Sequence, residues 1–396
     1  MDWMYVFYFL LGTLLFFGAR GCKKGEWNEE YTSLSQTKTL LGFTALCVSL
    51  HHMGQKSCAP WHPSRYIVHG LDFFVPIGYI LVSVFLFCSG LGLYKSWKTK
   101  PDYLRHFPRK RILPIVAAFY LSEWFYLLVR YLMGEKMDAG LALEYFLGLR
   151  LANFNAWYVM VIPFFYLAFY FAFRFCRREG WAILWVFLFT LGYTVLGAAI
   201  DHRTDQWFAG EWWYNCVILF PLGLLFAKHE EKITRFLKKG YWVYLILSFA
   251  AIFALNRFSS LVVDQWCGYY GENWGDPMKI PHRLASAASQ WLVCVAAVAF
   301  CFLLIMKVRL GNKALKFLGG MTLEYYLIHG IFVELFGYNF HDISNSIYYI
   351  RSVPLFILAV LSCGIAASIL FRYLWRGVMK LIHRPARIPD APMKNS

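Results

Sequence analysis

Apolar residues run along this chain in windows of about 20 positions, the length a helix needs to cross a ~30 Å hydrocarbon core, and charged residues collect in the gaps between them. Eleven windows fall near 2–19, 38–54, 70–94, 112–133, 157–176, 181–199, 212–228, 240–256, 284–308, 317–340 and 353–378. Inside lipid a backbone must satisfy its own hydrogen bonds, so each window predicts a transmembrane helix. The expected fold class is all-α, a polytopic membrane helix bundle of about 11 transmembrane helices.

The gaps alternate in charge. Cations crowd Arg20 to Lys24, Lys95 to Arg111, Arg174 to Arg178, Lys228 to Lys239, Lys307 to Lys316 and the tail from Arg372 to Lys394. The gaps between these are balanced or acidic, around Glu135/Asp138, Asp201/Asp205/Glu211, Asp264/Glu272/Asp276 and Asp342. The positive-inside bias then sets the N-terminus outside and the C-terminus in the cytoplasm. The first window carries Asp2 ahead of it and its cations behind it, the reverse of a secretory signal, and reads as a retained helix.

Composition agrees with the bilayer as main solvent: 59% of residues are hydrophobic, 20% aromatic and only 16% charged. The net charge of +16 would suggest nucleic acid in a soluble chain. Here the loop alternation accounts for it, and nucleic acid is excluded as a partner. Ten cysteines show no zinc spacing, and no metal is expected. Cys58 and Cys267 both fall in predicted outside loops, which leaves a disulfide between them open.

Three windows carry candidate chemistry. His51 and His52 close the second, and an imidazole at a helix end facing a bundle interior suits a base near neutral pH. Adjacent helix positions differ by about 100°, so one of the two faces a given site. Arg109, Lys110 and Arg111 precede Pro114 at the opening of the fourth window, where guanidinium groups stand beside free backbone N–H groups. Such an anion site suits the phosphates of an acyl-CoA, whose acyl arm would enter the bundle. On the tenth window Thr322, Tyr325 and His329 share one stripe, with Glu324 off it. Intramembrane polar groups of this kind cost about 2–3 kcal/mol each on insertion scales and point to a site-lining role. In the third window Gly90 and Gly92 permit close helix approach, and Ser89 has no nucleophile-elbow context. Asn155, Trp157 and Tyr158 open the fifth window, where an aromatic belt explains the rings equally well.

These residues together carry a resemblance. His51-His52 after Gly42, then Phe85-x-Phe-x-Ser89-Gly90, Arg111-Ile-Leu-Pro114, Asn155-Ala-Trp157-Tyr158, Phe220-Pro-Leu-Gly223 and Glu324-x-Tyr326-Leu-Ile-His329-Gly330 resemble the ordered landmarks of the membrane-bound acyltransferase 3 family. The resemblance covers about 38–378 as the membrane domain, with 1–37 an extra N-terminal helix and cytoplasmic linker and 379–396 a cytoplasmic tail. It implies transfer of an acyl group, most often acetyl, from cytoplasmic acyl-CoA to a hydroxyl of a glycan or other envelope acceptor, in a multi-pass protein of the bacterial plasma membrane.

Aligning Gly42 with the family's glycine selects His52 over His51 as the essential base and puts Leu41 where the family has a cation, with Lys38 one turn earlier as its substitute. The candidate catalytic set is His52 and His51 with Tyr325 and Glu324. Arg111, Arg109, Lys110, Lys38 and Ser89 are the candidates for holding acetyl-CoA, and Asn155, Trp157, His329 and Thr322 for the substrate. Tyr325 or Thr322 would donate to the oxyanion, and His329 or Glu324 would orient the base. Two alternatives stay open: another acyl group or acceptor, such as succinyl, an amino alcohol or a lipid, and a transporter or flippase without chemistry.

Overall fold

The computed structural model describes residues 3–61, 67–200, 207–208, 210–267, 276–337 and 348–382. Its helices are α1 (Trp3–Phe16), α2 (Leu34–Ser57), α3 (Gly78–Thr99), α4 (Leu113–Leu132), α5 (Ala139–Leu147), α6 (Trp157–Phe175), α7 (Glu179–Ala199), α8 (Leu219–Lys228), α9 (Glu230–Lys239), α10 (Tyr241–Leu261), α11 (Lys279–Lys307), α12 (Lys313–Gly319), α13 (Thr322–Phe336) and α14 (Val353–Ile382). The sheet among the described residues is a ribbon of two antiparallel pairs, β1 (Arg20–Gly21) on β2 (Val308–Arg309). The protein is an all-α polytopic membrane bundle. Each of the eleven apolar windows holds a helix, and seven helical stretches among the described residues are long and apolar enough to cross a membrane by themselves.

The helices depart from the windows where polar backbone finds other partners. The window 212–228 becomes helical only from Leu219, because indole N–H groups staple the preceding chain into turns. Trp212 Nε1 donates to the carbonyl of Trp207 at 2.8 Å, Trp213 Nε1 to that of Phe208 at 2.8 Å, and Trp207 Nε1 to that of Gly148 at 3.0 Å. Short α9 was hidden among the cations. It opens on Glu230 and Glu231 and closes on Lys238 and Lys239, the order that complements a helix dipole.

The cation-rich segments converge on one end of the bundle. β1 and β2 join the segment after α1 to the segment after α11. Lys95 pairs with Glu230 at 2.8 Å, Lys238 with Glu29 at 2.7 Å, and Lys98 with Glu179, which also accepts the Tyr94 hydroxyl at 2.5 Å. At the opposite end Cys58 and Cys267 are separate free thiols, and Cys58 Sγ donates to the carbonyl of Val68 at 2.7 Å, so the disulfide left open by the sequence is not formed. Tyr269, Tyr270 and Trp274, the carboxylates Asp201, Asp205, Glu272 and Asp342, and the tail from Arg384 lie outside the described residues.

Glycines set the central crossings. A Cβ on Gly90 of α3 would stand 2.1 Å from the carbonyl oxygen of Phe220, and one on Gly223 of α8 would stand 2.2 Å from that of Phe87. The two helices thus interlock through reciprocal glycines, and the Phe-x-x-Gly spacing recurs in both for that reason. Between α2 and α12, a Cβ on Gly42 would lie 1.9 Å from the carbonyl oxygen of Leu315 and one on Gly319 1.7 Å from that of Lys38. Gly92 meets nothing within 4 Å, so only Gly90 of the expected pair serves close approach. Gly90→Ala should therefore lower the unfolding free energy in detergent by about 1–3 kcal/mol through overpacking, whereas Gly92→Ala should be neutral or stabilising by up to about 1 kcal/mol; equal losses in thermal melts of the two would refute the reciprocal crossing.

Candidate active site

The site grows from the docking of α2 on α13. Ser33 caps α2 by accepting from the backbone N–H of Gln36, and the helix runs unbroken to Ser57, which places His51 and His52 near its end. His329 lies within α13, fully buried. Nδ1 of His52 is 2.8 Å from Nε2 of His329, and the two ring planes are parallel within 3°.

One carbonyl orients the protons of this pair. Nδ1 of His329 sits 2.7 Å from the backbone oxygen of Tyr325. A carbonyl only accepts, so in the neutral pair His329 carries its proton on Nδ1 and presents a lone pair at Nε2. His52 must then donate from Nδ1, which leaves its Nε2 unprotonated. His52 lines a cavity of ≈ 860 Å³ at the end of the bundle opposite the cations. His51 lines the same cavity, with Nδ1 2.8 Å from the carbonyl of Phe74. Its Nε2 is packed on Gly78, where a Cβ would approach to 2.3 Å.

A buried carboxylate holds the far wall. Glu123 of α4 accepts from the backbone N–H of Ala152 at 2.7 Å and of Asn153 at 3.3 Å. Asn153 in turn donates to the carbonyl of Leu327 at 3.2 Å and accepts from the N–H of Asn155 at 3.1 Å. The Tyr326 hydroxyl donates to the carbonyl of Asn155. The chain 152–155 is thereby fastened to α13 at Tyr326 and Leu327, within one turn before His329, and Asn155 and Trp157 join the cavity wall. A hydrogen bond of this type contributes about 0.5–1.5 kcal/mol net. Sequence reasoning passed over Glu123 and Asn153; the available signal was a lone carboxylate within an apolar window.

Three cavities stand in series. The one at His52 shares Val48, Val82 and Tyr326 with a middle cavity of ≈ 230 Å³, whose walls also include Ser89 and Thr322. Val48 lies one turn before His52 on α2, so both face the same way. Tyr166 of the middle cavity packs on Phe107 with ring centroids 6.0 Å apart, and Phe107 belongs to a third cavity of ≈ 720 Å³ at the cationic end. There Arg109, Lys110 and Arg111, on a π-helical turn at Pro108–Ile112, face Arg376 and Lys380 of α14. The Arg111 guanidinium lies 5.7 Å from the ring centre of Tyr103.

The structure thus unites His52 with His329, and places His51, Asn155 and Trp157 at the same cavity. Ser89 and Thr322 belong to the middle cavity and the three cations to the basic one. Tyr325 lines none of the three; its ring stacks on His329 at 5.0 Å. Glu324 likewise lines none of them and joins α13 to α14, accepting from Trp375 Nε1 at 3.2 Å and lying 3.6 Å from Arg372 Nε. Lys38 lies outside all three, its carbonyl pressed against Gly319. The family model described as "Acyltransferase domain", of the acyltransferase 3 family, matches residues 40–373, well over half of the chain. No curated protein and no solved structure matches.

In ¹⁵N spectra His52 should show a protonated Nδ1 and a bare Nε2. His329→Ala should release the ring to mixed tautomers and cost about 1–3 kcal/mol of stability for the orphaned N–H, while His329→Gln, which keeps an acceptor, should preserve most of the wild-type signature. An unchanged His52 spectrum in His329→Ala would sink the proton assignment.

Proposed function

This chain belongs to the acyltransferase 3 family and is a membrane acyltransferase, and we propose that it moves an acetyl group from cytoplasmic acetyl-CoA to a hydroxyl of a glycan in the cell envelope. The observation that carries this reading is the series of cavities, with cations at one end and the bare Nε2 of His52 at the other. A donor whose charged head stays at one face and whose thioester must reach the opposite half of a bilayer suits that arrangement.

In this reading Arg109, Lys110 and Arg111 hold the phosphates with Arg376 and Lys380, and Tyr103 and Trp375 offer faces to the adenine. The pantetheine arm passes Tyr166, Ser89 and Thr322. The acceptor hydroxyl enters from the outer cavity and gives its proton to Nε2 of His52 as its oxygen attacks the thioester carbon. The C–S bond then breaks, and the proton on Nε2 goes to the departing thiolate, which leaves the ester and free CoA thiol. His329 keeps the Nδ1 proton of His52 in place and orients the ring throughout, a role often taken by a carboxylate.

Two expected roles shift. Thr322 precedes His329 by seven residues, about 10 Å along a helix, so it suits the arm rather than the oxyanion. Tyr325 sits behind His329, and Asn155, on the wall of the His52 cavity, is the amide donor this reading assigns to the oxyanion. The middle cavity is lined by residues such as Leu41, Val82, Phe85 and Ile162 and by no cation. A succinyl carboxylate would be desolvated there without a partner, which supports acetyl over succinyl.

Purified protein in lipid, given acetyl-CoA and a glycan extract from its own envelope, should release thiol only with the extract, and His52→Ala should lower the rate by about 10²–10⁴-fold. Wild-type protein that releases no thiol with any acyl-CoA yet moves solute across vesicles would establish the transporter instead. Arg111→Ala should raise KM for acetyl-CoA by about tenfold or more while kcat stays within about twofold, the loss of one charge-assisted contact to the donor head; a fall in kcat at unchanged KM would remove Arg111 from the donor site.

A further inference from the structure

The cavity at His52 has a charge that acyl transfer does not by itself require. In a chain of net charge +16, its described lining includes Asp72, Glu211 and Asp264 and no lysine or arginine. Loop alternation accounts for missing cations on this face, but not for three carboxylates lining one cavity. They come from three separate places: the turn leading into α3, the stapled segment before α8 and the π-helical turn after α10.

Two buried amides on the same wall favour a ligand rich in oxygen. Asn215 is 4% exposed and Gln290 9%, both line this cavity, and neither Oδ1 of Asn215 nor Oε1 of Gln290 has a hydrogen-bond partner. Those oxygens have no open surface, so each amide presents its N–H groups to the cavity, donors that suit the hydroxyl and ring oxygens of a sugar. Trp61, Trp157 and Trp212 add aromatic faces, and these attract a cation as readily as they stack on a sugar.

We propose that the acceptor is a hydroxyl compound bearing an ammonium group, an amino sugar with a free amine being the class that fits the aromatic and amide lining. The ammonium sits among Asp72, Glu211 and Asp264, neighbouring hydroxyls accept from the amides of Asn215 and Gln290, and the reacting hydroxyl faces Nε2 of His52. This rests on the acyl-transfer reading only in calling the ligand an acceptor; the preference for a cation stands on the cavity alone.

Saturation-transfer NMR on the full-length protein in nanodiscs reads weak binding without any turnover. The probes are methyl glucosaminide, its N-acetyl form and methyl glucoside, alike except for a positive, a neutral amide and a hydroxyl group. The glucosaminide should saturate at about tenfold lower concentration than either relative, and Asp264→Asn and Glu211→Gln, tested separately, should each shrink that preference to about twofold or less. Equal binding of the three, binding of none, or a preference untouched by both substitutions overturns the proposal. Should Asp264→Asn fail to fold, the wild-type comparison and Glu211→Gln decide. Extract-dependent thiol release fails or succeeds independently: a cation preference without thiol release would remove the acyl-transfer reading and leave the cationic site standing.

Discussion

A single hydrogen bond between two imidazoles, His52 Nδ1 to His329 Nε2 at 2.8 Å, ties α2 to α13. It works because His329 is fully buried, so each of its ring nitrogens has to be matched inside the protein. The carbonyl of Tyr325 starts the chain at 2.7 Å, and every proton position after it follows. Docking of α2 on α13 and the open Nε2 at the cavity are therefore one event. Glu123 supports it from behind by fastening 152–155 to α13, and the price of a carboxylate in an apolar helix is offset by the backbone N–H groups it satisfies.

The two end cavities are lined by opposite charge, and the middle cavity between them by none. Cations gather around the cavity that includes Arg109, Lys110 and Arg111, carboxylates around the one that includes His52, and the middle cavity is apolar with a few hydroxyls. A molecule with a polyanionic head, a neutral arm and a reactive far end matches that gradient better than a freely diffusing solute would. The membrane acyltransferase assigned by the family match and the path read from the cavities are mutually consistent.

Much of the fold was legible because lipid imposes a simple rule on sequence. An apolar window of about 20 residues has to be helical, and helices stand at all eleven windows. The misreading at 212–218 has a local cause: three indole N–H groups found carbonyls, and turns replaced the helix. Helices such as α9 carry no apolar window and are visible only as a charge order. At the site, His52, His329, Asn155 and the cationic run were legible as polar groups at places where polarity is costly. Glu324 was equally conspicuous, yet its partners are Trp375 and Arg372, contacts 48 or more residues away that no local pattern announces.

The sequence by itself determined the class of fold, the positions of the helices, the segregation of charge and, through ordered landmarks, the family. Those properties depend on the partition of each segment between water and lipid, which is nearly additive along the chain. Only the tertiary structure decided which intramembrane polar groups meet. It paired His52 with His329 across 277 positions, left Tyr325 behind them, sent Glu324 to α14 and gathered Asp72, Glu211 and Asp264 at one cavity. Such pairings depend on ångström-scale distances and on the direction of individual donors, and helix packing sets both through contacts such as the reciprocal glycines of α3 and α8.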